Sequence, residues 1–499
     1  MTKLRRWKLP GVIALLCTAM AIASQAQTLV TVATFDGRNG FDPGLATPTQ
    51  GADGNLYGTT LFGGRFHGTC GQDGCGLIFR FSPSSSSLST LYKFCSLNTP
   101  SNHCLDGYLP FSSSSLFLGA DADLYGTTFS GGTNAGGTLF KMTLKGKLAT
   151  MYSFCSQREG KRCLDGFGPW ASVTQGFDGY LYGATYVGGV ERGGTLFRST
   201  PTGGLTTLHM FSSTHGGSAP ESAPVVAYDG NLYGTTTAAA FGEQTGVIYR
   251  LGSQGFETLY TFCAEANCAD GAVPFAELLA ASDGDLYGST QIGGANGEGT
   301  IFRIDLNGQL TTLYSFCSLA DCSDGMTPYG RLVQGSDGKL YGTTLGGLGG
   351  AGTIFSFTPD GTLATLYTIC LSGPPCADGS TSAGGLIQHT NGKFYGTTAL
   401  GGNDTCDGGC GTIYSLDVGL GPFVALVNNP AKVGQSFGIL GQGFTGATSV
   451  LLNGTPVSFK VALDTVIKGT VPADATTGYV TVTTPSGTLT SNVPFHVVQ

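Results

Sequence analysis

Residues 283–317 read DGDLYGSTQIGGANGEGTIFRIDLNGQLTTLYSFC, and this stretch decides the fold. Its core, Leu-Tyr-Gly-Thr-Thr or a near copy, places a tyrosine at Tyr57, Tyr125, Tyr182, Tyr233, Tyr287, Tyr341 and Tyr395, with spacings of 68, 57, 51, 54, 54 and 54 residues. A period near 54 is too long for helical or leucine-rich repeats and suits the four-stranded blade of a β-propeller. The quoted unit, with the residues just before it, divides into four strands: a over Phe275–Ala280, b over Leu286–Thr290, c over Thr300–Ile304 and d over Leu310–Phe316. Six of the seven a–b turns carry Asp-Gly or Asn-Gly, the pair that accepts the positive φ of a tight hairpin. Along strand b, alternation puts Tyr287 in the inter-blade core and leaves Gly288 as room for a neighbouring sheet.

The ends of the array decide between an open solenoid and a closed ring. Leu29–Phe35 has the pattern of strand d, whereas the last unit stops after strand c near Val418. The N-terminal strand is therefore expected to pair with Thr412–Leu416, completing a seventh blade and removing the exposed sheet edges. The fold class is all-β: a seven-bladed β-propeller over 27–418, a linker over 419–422, and a small β-sandwich over 423–499.

Lys3, Arg5, Arg6 and Lys8 precede an apolar run from Gly11 to Ala23 and the small-residue site Ser24-Gln25-Ala26, which is the pattern of a signal peptide over residues 1–26. Its removal takes four of the 24 cations and leaves 20 against 32 acids, a net charge of −12. That charge argues against nucleic-acid partners, and no later run is apolar enough to read as a transmembrane segment. The expected product is an exported monomer, secreted or at the cell surface.

Fourteen cysteines follow the signal segment in local pairs: Cys70 with Cys75, Cys95 with Cys104, Cys155 with Cys163, Cys263 with Cys268, Cys317 with Cys322, Cys370 with Cys376 and Cys406 with Cys410. In an exported chain these read as disulfides; zinc is the competing reading, and only two pairs have a nearby histidine, His67 and His103. Strand alternation puts every pair on the face formed by the d–a and b–c loops, the expected binding surface. Asp-Gly-x-x-Pro or a variant recurs in the d–a loops at Asp106, Asp165, Asp270, Asp324 and Asp378, with Asn39 replacing the aspartate once. Two readings stand for these six residues: Asx-type turns satisfied by local amides, or a ring at the channel mouth that holds a polyol or a structural Ca2+.

Asp-Gly-x-Leu-Tyr-Gly-Thr-Thr, then Gly-Gly, Gly-Thr-Ile-Phe and Leu-Tyr-x-Phe-Cys resembles the GloVer repeat of exported bacterial "choice-of-anchor tandem repeat" proteins, over about residues 28–418. The resemblance implies export and repeat architecture and carries no catalytic residue. Val433-Gly434, Leu440-Gly441-Gln442-Gly443-Phe444, Val471-Pro472 and Val480–Thr484 resemble an IPT/TIG immunoglobulin-like domain, which implies a spacer or adhesion module. No cofactor is expected. The six histidines are scattered, no Ser-His-Asp order emerges, and Trp170 is the only tryptophan beyond the signal segment. The leading expectation is a non-catalytic protein whose disulfide face contacts extracellular glycan or protein; the alternatives are a propeller hydrolase or lyase of extracellular polysaccharide and a structural envelope component.

Overall fold

The computed structural model describes residues 27–44, 46–65, 68–97, 104–111, 115–214, 216–239 and 244–498; the signal segment lies outside them. The chain is all-β and propeller-like. Seven antiparallel sheets follow one another, six of four strands and a sixth-in-sequence sheet that gains Met326–Pro328 as a fifth. In the fifth sheet the strands are Leu279–Ala280, Leu286–Thr290, Thr300–Ile304 and Leu310–Ser315, close to expectation except for strand a. Only Leu279 and Ala280 pair with strand b, because the residues before them, Phe275 to Leu278, leave the ladder to line the space enclosed by the innermost strands.

The glycine of strand b has a different task from the one its spacing suggests. Gly288 lies opposite Phe302 of strand c, and a Cβ there would sit 2.4 Å from the ring, so the glycine makes room within its own sheet. Tyr287 does reach the next sheet, packing with Leu332, Leu340 and Phe355, while its hydroxyl donates to Asp283 of the a–b turn at 2.7 Å. The bases of strand c mostly find acids at the sheet rim: Lys141 lies 2.6 Å from Asp121, and Arg303 3.6 Å from Asp285.

Residues Thr28–Thr34 pair antiparallel with Thr412–Asp417 as the outer strand of the last sheet. Their register slips between Thr31 and Ala33, opposite Tyr414 and Ile413. The same slip separates Ile301 from Phe302 and Ile354 from Phe355 in other sheets, so Val32 occupies the bulge that Leu313 and Leu366 fill there. The N-terminal strand thus reproduces strand d down to its irregularity.

Two kinds of bond join successive sheets. A glutamine ending strand a accepts from the preceding a–b turn, as in Ser282 N to Gln334 and Ser336 N to Gln388; the last sheet meets the first in the same way through Thr390 N to Gln50, at 3.0 Å. On the opposite face, the residue before the proline of a d–a loop bridges two sheets. Val273 N donates to Thr245 O and Val273 O accepts from Gln291 N; across the closure Asp42 N donates to Cys410 O and Asp42 O accepts from Leu61 N. These bridging residues share a left-handed backbone, with φ of 56° at Asp42, 53° at Leu109, 57° at Ala219, 58° at Val273, 53° at Thr327 and 60° at Thr381. Such a conformation is costly for Val and Thr, and the two-sided hydrogen bonding holds it.

Residues 425–498 form two further four-stranded sheets around a core that includes Phe437, Phe444, Val480 and Phe495. This unit rests on the a–b turns of the repeat sheets, where an independent spacer would stand free. Leu440 and Val466 join the core around Ala52 and Leu118, Thr465 Oγ1 donates to Ala52 O at 2.7 Å, and His496 stacks on Tyr228 with ring centres 3.5 Å apart.

Candidate functional site

The cysteines bond as the spacing indicates: Cys70 to Cys75, Cys95 to Cys104, Cys155 to Cys163, Cys263 to Cys268, Cys317 to Cys322, Cys370 to Cys376 and Cys406 to Cys410, each pair four to nine residues apart. In every unit the d–a loop pairs with the b–c loop, for example Ala272 with Ile292 and Ser380 with Leu400, so the bonds lie on one face. Cys95, Cys104, Cys155 and Cys370 are buried, while Cys163, Cys268, Cys322 and Cys376 are half-buried where their loops turn back towards strand a. The disulfides close these loops on themselves; among the described residues no cysteine lines the cavity walled by Tyr186, Phe275 and Tyr329, while Cys370 borders a separate space of about 550 Å3 beside Tyr367 and Asp378.

The aspartates of the d–a loops do not ring the channel. Asp106, Asp165, Asp270 and Asp324 are fully buried. Asp324 accepts from Tyr314 OH at 2.8 Å, Ser318 N at 2.8 Å and Leu319 N at 3.2 Å; Asp106 does the same with Tyr92, Ser96 and Leu97, Asp165 with Tyr152, Ser156 and Gln157, and Asp270 with Tyr260, Ala264 and Glu265. Asp378 is half-buried and accepts from Tyr367 and Cys370 N, while Asn39 exchanges bonds with Asp36 in its own loop. The amides are upstream, at the start of the disulfide loop, and the tyrosine belongs to outer strand d. Each carboxylate therefore ties its loop to the rim of its own sheet, which separates the six residues and leaves their oxygens facing donors. Among the described residues, the one group of three or more potential metal ligands within 4.8 Å of one another is the four sulfurs of Cys70, Cys75, Cys95 and Cys104, all disulfide-bonded.

One step further along the same loops, the residue after the proline reaches the axial spaces as Glu221, Phe275 and Tyr329, with Ala383 in the unit that lacks the proline; the other units carry Gly44, Phe111 and Trp170 at this position. At the loop face a cavity of about 520 Å3 is walled by Tyr186, Phe275 and Tyr329, with Glu221, Gln244 and Gln291 as polar groups. Phe275 and Tyr329 rings lie 4.1 Å apart; Trp170 backs Tyr186 at 5.2 Å and stacks on Phe111 at 3.9 Å. Beneath, residues of six sheets close to a neck of only about 30 Å3, set by Thr47, Ser115, Glu221, Glu277 and Arg331. A space that size holds only one or two waters. Below it a chamber of about 480 Å3, walled by Leu116, Val226, Leu279 and Val333, ends on Phe423 and Leu426 of the C-terminal unit.

Charge is concentrated at the neck. Burial lifts the Glu221 carboxyl to about 7, against a hydrogen bond from Thr237 at 3.2 Å. Burial lifts Asp42 to about 6 and raises Glu277, which faces Arg331 at 3.5 Å. Burial raises the Tyr186 and Tyr329 hydroxyls; the charge of Glu221 adds to both, and that of Asp42 adds to Tyr329. The two tyrosines and Glu221 thus share one electrostatic neighbourhood. Among the described residues, no histidine or cysteine lines any of the three axial spaces.

These residues were missed because they break the repeat. Glu221 stands where sister units have Phe275 or Tyr329, and Asp42 where they have Leu109, Val273 or Thr327. Glu221 also belongs to the unit that lacks both loop cysteines and the loop aspartate. Departures from a repeat at the axis were the available signal.

Among solved structures, a candidate gluconolactonase is 14% identical over 80% of this chain and 94% of its own, with a TM-score of 0.38. A luciferin-regenerating enzyme is 12% identical over 80% and 97%, with a TM-score of 0.39. TolB from Acinetobacter baumannii is 14% identical over 58% of each chain, with a TM-score of 0.34. No curated protein matches. The model of the Gloeobacter/Verrucomicrobia repeat matches residues 16–164 and 112–323, more than half of the chain. The tandem units that build the sheets are therefore those of a known lineage, and the chain belongs to the Gloeobacter/Verrucomicrobia repeat family.

Proposed function

We propose that this is an exported binding protein that takes an extracellular glycan into the axial mouth of its disulfide-bearing face. In this reading the seven sheets are the blades of one closed propeller over 27–418, reached after loss of a signal peptide over 1–26. Residues 419–422 are a linker, and 423–499 an IPT/TIG immunoglobulin-like domain that closes the far end of the axis. The observation that carries the reading is the cavity of about 520 Å3 walled by Tyr186, Phe275 and Tyr329 and floored by Glu221. Flat aromatic faces beside a few fixed hydrogen-bonding groups suit the apolar faces and hydroxyls of a pyranose ring. The seven disulfides fit an oxidising compartment, and no helix among the described residues is long and apolar enough to cross a membrane.

A glycan array probed with the chain from residue 27 tests the reading. Binding that Tyr329→Ala abolishes while thermal stability is retained supports it; an array with no signal overturns it. One observation favours a hydrolase or lyase as the second reading: Glu221, lifted to about 7, has the proton affinity of a general acid. Product release from polysaccharide by the wild type, lost in Glu221→Gln, would replace binding with catalysis.

A further inference from the structure

We propose that the glycan entering this mouth carries free amino groups, and that Glu221 receives one ammonium as an ion pair between the rings of Tyr186 and Tyr329. The inference rests on the glycan reading above and names the sugar class.

Three charged side chains, Glu221, Glu277 and Arg331, border the neck, and Asp42 lies close enough for its charge to raise the Tyr329 hydroxyl. Arg331 is engaged by Glu277 at 3.5 Å, and among the described residues the carboxyl groups of Glu221 and Asp42 have no cationic partner. Glu221 has one hydroxyl donor, Thr237, at 3.2 Å, and Asp42 one amide, Gly44 N, at 3.3 Å. Arg192 is the other cation lining the cavity, and it lies exposed on the rim. Both carboxyl groups occupy places where the repeat puts an apolar or small residue, so neither is needed to build the sheets. A buried carboxylate without a cation is costly, and the expense is recovered when a ligand supplies the missing charge.

The walls select the same chemistry. Tyr186, Tyr329 and Glu221 line the same cavity, so a cation held by the carboxylate shares that space with two aromatic side chains. Aromatic faces attract ammonium groups, more strongly when water is excluded. An anionic sugar would meet the reverse, with its carboxylate facing Glu221 and Asp42 and the cation of the neck already paired. The excess of 32 acidic over 24 basic residues in the whole chain also favours approach of a polycation.

The test compares two tetrasaccharides of one shape: β-1,4-linked glucosamine and its fully N-acetylated counterpart. Each is titrated into the chain from residue 27 at pH 7.5, with heat and Trp170 fluorescence as readouts. The amino form is expected to bind at least tenfold tighter. Glu221→Gln, which keeps the volume and the Thr237 contact, should remove that preference, so that the variant binds the amino and acetylated forms with equal affinity. Affinity for the amino form should fall severalfold between pH 7.5 and 5.5 in the wild type and stay flat in the variant. Equal binding of both forms, or a preference that survives in Glu221→Gln, overturns the amine assignment alone. Binding of neither tetrasaccharide overturns it too, and glycan recognition is sunk as well if the array is also blank.

Discussion

Phe35 offers the sharpest test of ring closure. It follows the N-terminal strand, is fully buried, packs on Phe79 of the first sheet with ring centres 5.3 Å apart, and donates its amide to Gly411 O of the last sheet at 3.0 Å. Phe154 holds the equivalent place in the second sheet, fully buried and 5.1 Å from Phe197 of the third. Phe-to-Ala truncation in a core costs about 3 to 5 kcal/mol, of which an aromatic pair contributes about 0.5 to 1.5. If the N-terminal strand is an integral outer strand, Phe35→Ala and Phe154→Ala should destabilise by the same amount, within about 1 kcal/mol. With an m-value above about 3 kcal/mol/M for a chain this long, both midpoints fall by roughly 1 M in urea. The reporter is Trp170, in the third unit and far from Phe35 along the ring. Were the strand only an appendage, it would fray alone, and Trp170 would unfold at the wild-type midpoint in Phe35→Ala. That result would refute the closure argument.

Other expectations follow from particular contacts. Asp324→Ala leaves Tyr314 OH and the amides of Ser318 and Leu319 without an acceptor and should cost about 3 kcal/mol or more, read as a lower denaturation midpoint; millimolar calcium should not change the wild-type melting temperature. Glu221 titrates near 7 folded against 4.5 when exposed, so the folded state holds the proton more tightly. Stability should therefore decline as pH rises from about 4.5 to 7, by about 3 kcal/mol, and Glu221→Gln should flatten that slope in urea titrations at stepped pH. Leu440 is buried in the shared core with Ala52 and Leu118, so Leu440→Asp should loosen the C-terminal unit and speed proteolysis at Gly419–Gly421. Unchanged cleavage kinetics would mean that the unit is not held by that core.

Local structure was legible and radial placement was not. A period near 54, hairpin turns at fixed offsets and a cysteine count that pairs within loops determine strands b, c and d and the disulfides, because each depends on neighbours within one unit. Of the two readings of the loop aspartates, the hydrogen bonds match satisfaction by nearby amides, but from upstream amides and a strand d tyrosine, because the direction a loop folds depends on what lies beside it in space. A clue was present. The five units with the loop aspartate also have tyrosine two residues before the residue that ends strand d, whereas His209 goes with Gly216 and Ala33 with Asn39. The loss of both partners together is what a direct Tyr–Asp bond produces, and that bond pulls the carboxylate outward. The docking of the C-terminal unit left a weaker trace, since Leu440 and Val466 belong to a strand pattern that its own sandwich already explains.

The closing strand also determines how the molecule bears load. Thr28 pairs with Asp417, so the chain enters and leaves the ring at the same end of one antiparallel ladder. Tension between the start of the chain and its C-terminal unit would peel that ladder one pair at a time, like a zipper, instead of shearing all pairs together. Every cysteine bond spans fewer than ten residues, and none crosses from one sheet to the next to share the pull. Between fixed points on a surface and a moving polymer, the last sheet would part first and at low force, while the other six stay intact to close again when slack returns.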